Sequence, residues 1–195
     1  LAEGADLLIT STHKTLAGPQ GGMILTNDPA IAERVASATS PLMIANHHLA
    51  RIPAMAALFI EWKHCGSAYA DAIVANAKAL GRALHDRGLS VVCSDRGHTE
   101  SHTVVASVDA FCDSGTNAAV MLEAANIIVG SSELPPEWGL HGLRIGVQEV
   151  TRMGMEETDS GEIADLMVAA LEETPGTRER VTKLAHIFNR VQFTV

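Results

Sequence analysis

The residue types able to do chemistry crowd into one stretch, Ser11-Thr12-His13-Lys14-Thr15-Leu16-Ala17-Gly18-Pro19-Gln20-Gly21-Gly22, which sets an amine beside an imidazole and several hydroxyls. A lysine whose pKa is depressed by burial or by a neighbouring cation can attack a carbonyl and form a Schiff base. Lys14 is the only amine of the stretch, and Gly18, Gly21 and Gly22 permit close backbone approach to a bound group. A solvated loop lysine would have the same composition, so residue type alone leaves both readings open.

A second stretch, Gly142-Leu143-Arg144-Ile145-Gly146, sets an arginine between apolar neighbours. On a strand, Arg144 then faces the opposite side from Leu143 and Ile145. A guanidinium in such a place needs an anion, and a carboxylate taken bidentately is its best partner. That carboxylate is either a ligand's or an internal Asp or Glu.

The elements that must position these groups can be read from periodicity. Residues 5–10 and 22–26 are apolar and β-branched between turn formers, which predicts two short buried strands with the lysine stretch as the loop between them. Asn27 or Asp28 caps a helix over 30–38, with Pro29 in its first turn, and residues 40–43 break it. An apolar helix follows over 54–63. A long amphipathic helix spans 67–87, with Ala68, Ala72, Ile73, Ala75, Ala79, Leu80, Ala83 and Leu84 on its apolar face and Gly88 closing it. Strands are expected at 89–93, 101–108 and 126–129, a helix at 114–125, and a loop at 130–138. Arg152 sits in the turn after the arginine strand as a structural residue. Helices over 155–171 and 178–191 end the chain, the first with an acidic start.

Composition excludes several classes. A formal charge of -9 argues against nucleic acid and anionic membranes as partners. No apolar run could span a bilayer, and the layout of a signal peptide is missing. Cys65, Cys93 and Cys112 lack metal-ligand spacing and predict reduced, buried thiols in a cytoplasmic protein. Adjacent His47 and His48 cannot share a helix face, and His98, Glu100 and His102 fall on a loop and then a strand, so no metal site is expected.

The order of residues around Lys14 carries more than their types. A strand ending Asp-Leu-Leu-Ile-Thr-Ser, then Thr-His-Lys-Thr, then Gly-Pro-x-Gly-Gly and a second apolar strand closely resembles the pyridoxal-phosphate lysine segment of serine hydroxymethyltransferases. The resemblance implies an α/β protein of the PLP-dependent transferase (aspartate aminotransferase-like) fold, as a partial large domain plus a smaller α+β C-terminal domain. Residues 1–65 would be the end of the cofactor-binding large domain, 66–88 a connecting helix and 89–195 the small domain. Lys14 would be the catalytic lysine that binds pyridoxal 5'-phosphate, with His13, Thr10, Thr12 and Gly22 beside the cofactor. Arg144, in the family's Arg-Ile-Gly, would grip the α-carboxylate of the amino acid.

The implied reaction cleaves or forms the Cα–Cβ bond of serine, glycine or a threonine-like amino acid, with tetrahydrofolate taking the one-carbon unit, in a cytoplasmic homodimer. The chain opens at Leu1, directly before the cofactor strand, so the resemblance implies an upstream half completing the site and an inactive isolated chain. Departures are specific. Gln20 replaces the usual arginine of Gly-Pro-Arg-Gly-Gly. The family's glycine pair for the cofactor phosphate gives way to Ala45-Asn46-His47-His48, leaving His47, His48 or Arg51 as substitutes. Residues 131–136 and Gln148-Glu149-Val150 differ from the family near the folate. They bear on the acceptor more than on the cofactor, so a threonine transaldolase or β-hydroxy amino-acid aldolase is the rival enzyme. A non-catalytic interaction module of the same fold is the rival of another class.

Overall fold

The computed structural model describes residues 1–46 and 48–195, so the expectation for His47 lies outside the described residues. The chain divides into two compact units, Leu1–Gly66 with Val195, and Ser67–Thr194.

In the first unit, β1 (Leu8–Ser11) pairs antiparallel with β2 (Gly22–Leu25), in the register Leu8↔Leu25 through Ser11↔Gly22. The second strand lies where expected, the first begins three residues later than expected and runs on into Ser11, and neither is buried. Leu8, Ile9, Ile24 and Leu25 are exposed, because a two-stranded ribbon has two faces and the described residues of this unit cover neither. Helix α1 (Pro29–Ser37) starts as its sequence directs: the Asp28 carboxylate accepts from Ala30 N at 2.7 Å and Ile31 N at 3.3 Å, and Pro29 opens the first turn. Wide helical turns over Ala38–Met43 follow, and the helical path breaks at Ser40, just before Pro41, as anticipated.

Helix α2 (Arg51–His85) is one continuous helix of 35 residues where the sequence suggested two. A single interior glycine costs a helix only about 1 kcal/mol, and no proline stands between the segments. Gly66 has a use here: a Cβ on it would come 2.9 Å from the Trp62 ring. Gly88, in the left-handed region at φ +94°, ends the helical turn, and Leu89 N donates to Leu84 O at 3.1 Å.

In the second unit, β3 (Ser90–Val91), β4 (Thr103–Ser107), β5 (Gly130–Glu133) and β6 (His141–Gly146) form an antiparallel sheet in the order β3-β4-β6-β5. Helix α3 (Gly115–Ala124), capped by Ser114, packs on β5, and the short α4 (Gln148–Arg152) follows β6. Helices α5 (Ser160–Leu171) and α6 (Thr177–Ile187) complete the layer, α5 packing on both α3 and α6. The core is drawn mainly from α2, β4, α3, β6 and α5: Leu84, Val104, Leu122, Leu143, Leu166 and Met167 are buried.

Three expectations need correction here. The strand expected at 126–129 forms four residues later, as β5. Asn126 takes φ +65° and Ile127 N donates to Leu122 O, so residues after α3 are spent on turning, and pairing with β6 selects the strand. The buried stripe of α2 in this unit runs through Tyr69, Ile73, Asn76, Ala77, Leu80 and Leu84, whereas Ala68 is exposed. Counting apolar types overlooked two polar members: Tyr69 donates to Gln148 O at 2.9 Å, and Asn76 Nδ2 donates to Thr151 Oγ1 at 2.9 Å and Met155 O at 2.8 Å. The last helix stops at Ile187 because the tail turns back, with Gln192 N donating to Arg152 O at 2.7 Å.

Cys65, Cys93 and Cys112 are free, as expected, but half-buried. No described helix is long and apolar enough to cross a membrane. Among the described residues no group of three or more His, Cys, Asp and Glu could hold a metal ion.

Candidate active site

The loop bearing Lys14 is closed by its own backbone. Beyond the last strand pair, Thr12 N donates to Gly21 O at 3.0 Å and extends the ladder by one rung. The buried Thr12 hydroxyl donates to Pro19 O at 2.6 Å, Gly18 N to Thr12 O at 2.8 Å, and Ala17 N to Lys14 O at 2.9 Å. These bonds fold residues 12–21 into a compact loop whose tip carries Lys14. The glycines there serve the loop first: a Cβ on Gly18 would lie 2.6 Å from Leu58 Cδ2 and 2.7 Å from Thr12 O. At Gly22 a Cβ would meet only Thr10 O, at 3.7 Å.

Of the residues singled out by sequence, Thr10, Thr12, His13, Lys14 and Gly22 are therefore gathered at one end of the β1–β2 ribbon. Thr10 Oγ1 donates to Ser11 O at 3.2 Å. The exposed His13 ring folds back over the loop, with Nδ1 at 3.3 Å from both the nitrogen and the oxygen of Gly21. Lys14 is exposed, and its amine has no hydrogen-bond or ion-pair partner among the described residues.

Behind this loop lies a cavity of about 450 Å³, lined by Thr12, Gly21, Gly22, Met23, Arg51 and Phe59 among others, in which Arg51 is the only charged side chain among the described residues. A Cβ on Gly21 would come 3.2 Å from Arg51 Nη1 and 3.4 Å from Thr12 Oγ1, so glycine is what lets the guanidinium lie against the loop backbone. No carboxylate among the described residues pairs with Arg51. A cation with no carboxylate beside it among the described residues is suited to an oxyanion.

Arg144 belongs to the second unit, on β6. Leu143 and Ile145 are buried on one face while Arg144 is exposed on the other, the alternation expected of this strand. The internal salt bridge that sequence left open does not form: among the described residues no Asp or Glu pairs with Arg144. Across the strands Arg144 stands opposite Gly130 on β5 and Val105 on β4.

The segments on either side of this strand are pinned. Asp109 accepts from Leu140 N at 2.8 Å and His141 N at 3.0 Å, and the bond from Leu140 is the main cause holding its carboxyl below the usual range. After β6, the buried Tyr69, its phenol pushed up chiefly by burial, takes hold of Gln148 O. Arg152 plays the structural part expected of it. Its guanidinium lies 5.8 Å from the Tyr69 ring centroid and donates to Phe193 O at 3.2 Å. Sequence reasoning passed over Gly130, which it placed in a loop, and over Asp109 and Tyr69. A glycine, an aspartate and a tyrosine reveal no pairing until the strand register is known.

The family model for serine hydroxymethyltransferase matches residues 2–167. The serine hydroxymethyltransferase of Saccharolobus islandicus (strain M.14.25 / Kamchatka #1) is 41% identical over 100% of this chain and 46% of its own length. That of Korarchaeum cryptofilum (strain OPF8) is 42% identical over 99% of this chain and 46% of its own. A crystal structure of L-threonine transaldolase from Pseudomonas fluorescens superposes with a TM-score of 0.90 at 30% identity, over 98% of this chain and 45% of the transaldolase. This chain thus spans about half the length of the curated relatives it matches. With a lysine loop and an arginine strand of this build inside a match covering most of its length, the chain belongs to the serine hydroxymethyltransferase family.

Proposed function

We propose that this chain supplies the cofactor lysine and the carboxylate-binding arginine of a pyridoxal 5'-phosphate enzyme that makes or breaks the Cα–Cβ bond of a β-hydroxy amino acid, passing the one-carbon unit to tetrahydrofolate. The observation that carries the reading is the uncommitted amine of Lys14 at the tip of a hydrogen-bonded loop, inside a family-specific segment.

The residues fit a phosphate-bearing aldehyde. Lys14 is the nucleophilic amine, and Arg51 beside Gly21 offers a planar fork to a phosphate, taking over the part played elsewhere in the family by glycines. Bound pyridoxal phosphate supplies the electron sink that lets a bond at the α-carbon break. The chain's own residues do the rest. Thr12 locks the loop by bonding Pro19 O, His13 covers it, and Thr10 and Gly22 form its base. Arg144 takes the substrate carboxylate bidentately and so fixes the orientation of the α-carbon, which is a large part of the catalysis. The working form is a cytoplasmic homodimer acting on serine and glycine.

Reconstituted with pyridoxal phosphate, the full-length protein should show the visible absorbance of lysine-bound cofactor, and Lys14→Ala should abolish it. A band that survives Lys14→Ala overturns the assignment. A full-length protein that takes up no cofactor leaves only the interaction-module reading.

Likeness to L-threonine transaldolase, together with the departures at 131–136 and 148–150, favours one second reading, in which an aldehyde replaces folate as acceptor. Glycine formed from serine only when tetrahydrofolate is present supports the first. Exchange between threonine and an added aldehyde without folate supports the second.

A further inference from the structure

We propose that Gly130 is a positioning residue for Arg144: by placing no side chain opposite the arginine, it lets the guanidinium lie flat over β5 and present its fork to a carboxylate. This rests on the proposed role of Arg144 in substrate binding.

The register pairs Gly130 with Arg144 and Ser131 with Leu143, so Gly130 and Arg144 share the face that the buried Leu143 does not. A Cβ built on Gly130 would stand 3.6 Å from Arg144 Nη2 and 3.7 Å from Nε, so two of the three guanidinium nitrogens lie directly over the glycine. No acid among the described residues holds the guanidinium there; the bare backbone beneath it leaves it room. These distances are ordinary contacts, so a single methyl fits. A γ carbon, reaching one bond further, takes the volume that the guanidinium occupies. Alanine and valine at this position are therefore predicted to fall on opposite sides of a threshold.

The fold itself would not suffer from valine. Gly130 opens a strand, where glycine is among the poorest residues and valine among the best. A role in stability alone thus predicts that Gly130→Val is neutral or stabilising, whereas the positioning role predicts weaker substrate binding from a protein no less stable.

The test uses the holoenzyme and glycine, whose carboxylate is its only anionic group and which is the common portion of every β-hydroxy amino acid. Glycine affinity, read from the change in cofactor absorbance, should fall tenfold or more in Gly130→Val and by no more than about twofold in Gly130→Ala, with cofactor content and thermal midpoint maintained in both. In an Arg144→Lys background the valine should add little further loss, because the two changes act on one group. Normal glycine affinity in Gly130→Val, where Arg144→Lys weakens it, overturns the positioning role and leaves Arg144 as the carboxylate anchor. Normal affinity in Arg144→Lys itself overturns both.

Discussion

The two units hold their reactive side chains by different means. In the first, Ile9 on the lysine ribbon is 70% exposed, and the loop that carries Lys14 is shaped by hydrogen bonds among Thr12, Gly18, Pro19 and Gly21. In the second, Leu143 and Ile145 beside Arg144 are 0% and 5% exposed, and the arginine is aimed by a strand that cannot slip without turning those residues out of the core. Among the described residues of this chain, the amine is thus placed by local turn geometry and the guanidinium by packing. In the roles proposed for them, the amine as a covalent anchor needs only one reachable atom. A bidentate clasp needs a plane held in register, which a packed sheet supplies.

The largest effect that would test this contrast is Leu143→Ala. Deleting a fully buried leucine costs about 2–5 kcal/mol, the spread reflecting how far the site can collapse. Urea unfolding should show that loss. A cost below about 1 kcal/mol would mean that packing does not aim Arg144.

Gly18→Ala probes the opposite regime. Its methyl would lie 2.6 Å from Leu58 Cδ2 and 2.7 Å from the backbone oxygen of Thr12, and a backbone atom cannot rotate aside. Forcing an extra carbon into a closed site costs about 1–3 kcal/mol. The damage should stay local, seen as faster hydrogen exchange at Ala17 and Gly18 and weaker cofactor uptake, while the second unit keeps its protection. Unchanged exchange at both amides would remove the turn from the account of Lys14.

These two regimes also explain what the sequence disclosed. The lysine loop was legible because its closure is local: a threonine, a proline and glycines at fixed offsets dictate the turn. The faces of β6 were legible because alternation is local too. The strand at Gly130–Glu133 was not, since Gly-Ser-Ser-Glu has no strand signature and becomes a strand only through its partner. Asn76 and Tyr69 were missed on α2 for a related reason. A polar residue can be buried once Thr151 and Gln148 supply its hydrogen bonds, and those partners lie some 75 and 79 positions away in sequence. The exposed apolar residues of β1 and β2 look buried in sequence because composition cannot tell which neighbours cover a strand.

Acid should separate the units in a smaller way. Asp109 holds the entrance to the Arg144 strand through its bonds from Leu140 and His141, and its folded carboxyl titrates below the unfolded value of about 3.9. A carboxyl depressed on folding stabilises fully above its unfolded pKa, and the contribution is lost as pH falls through the folded one. Stability should therefore slope downward below about pH 4 and slope less in Asp109→Asn. The Thr12–Pro19 bond of the lysine loop involves no ionisable group and should contribute nothing to that slope. An Asp109→Asn protein with the same acid profile would show that the strand entrance is held by other means.

The smallest effect is expected on the lysine ribbon. Ile9→Thr exchanges one β-branched residue for another, keeping strand propensity while removing apolar surface that already faces outward. With so little burial to lose in this chain by itself, its stability should change by no more than about 0.5 kcal/mol in the same urea titration that registers Leu143→Ala. A loss of about 2 kcal/mol would mean that the ribbon is covered in solution by chain or partner surface. Lys14 would then be held by packing as well, and the contrast between the two anchors would close from the side of the amine.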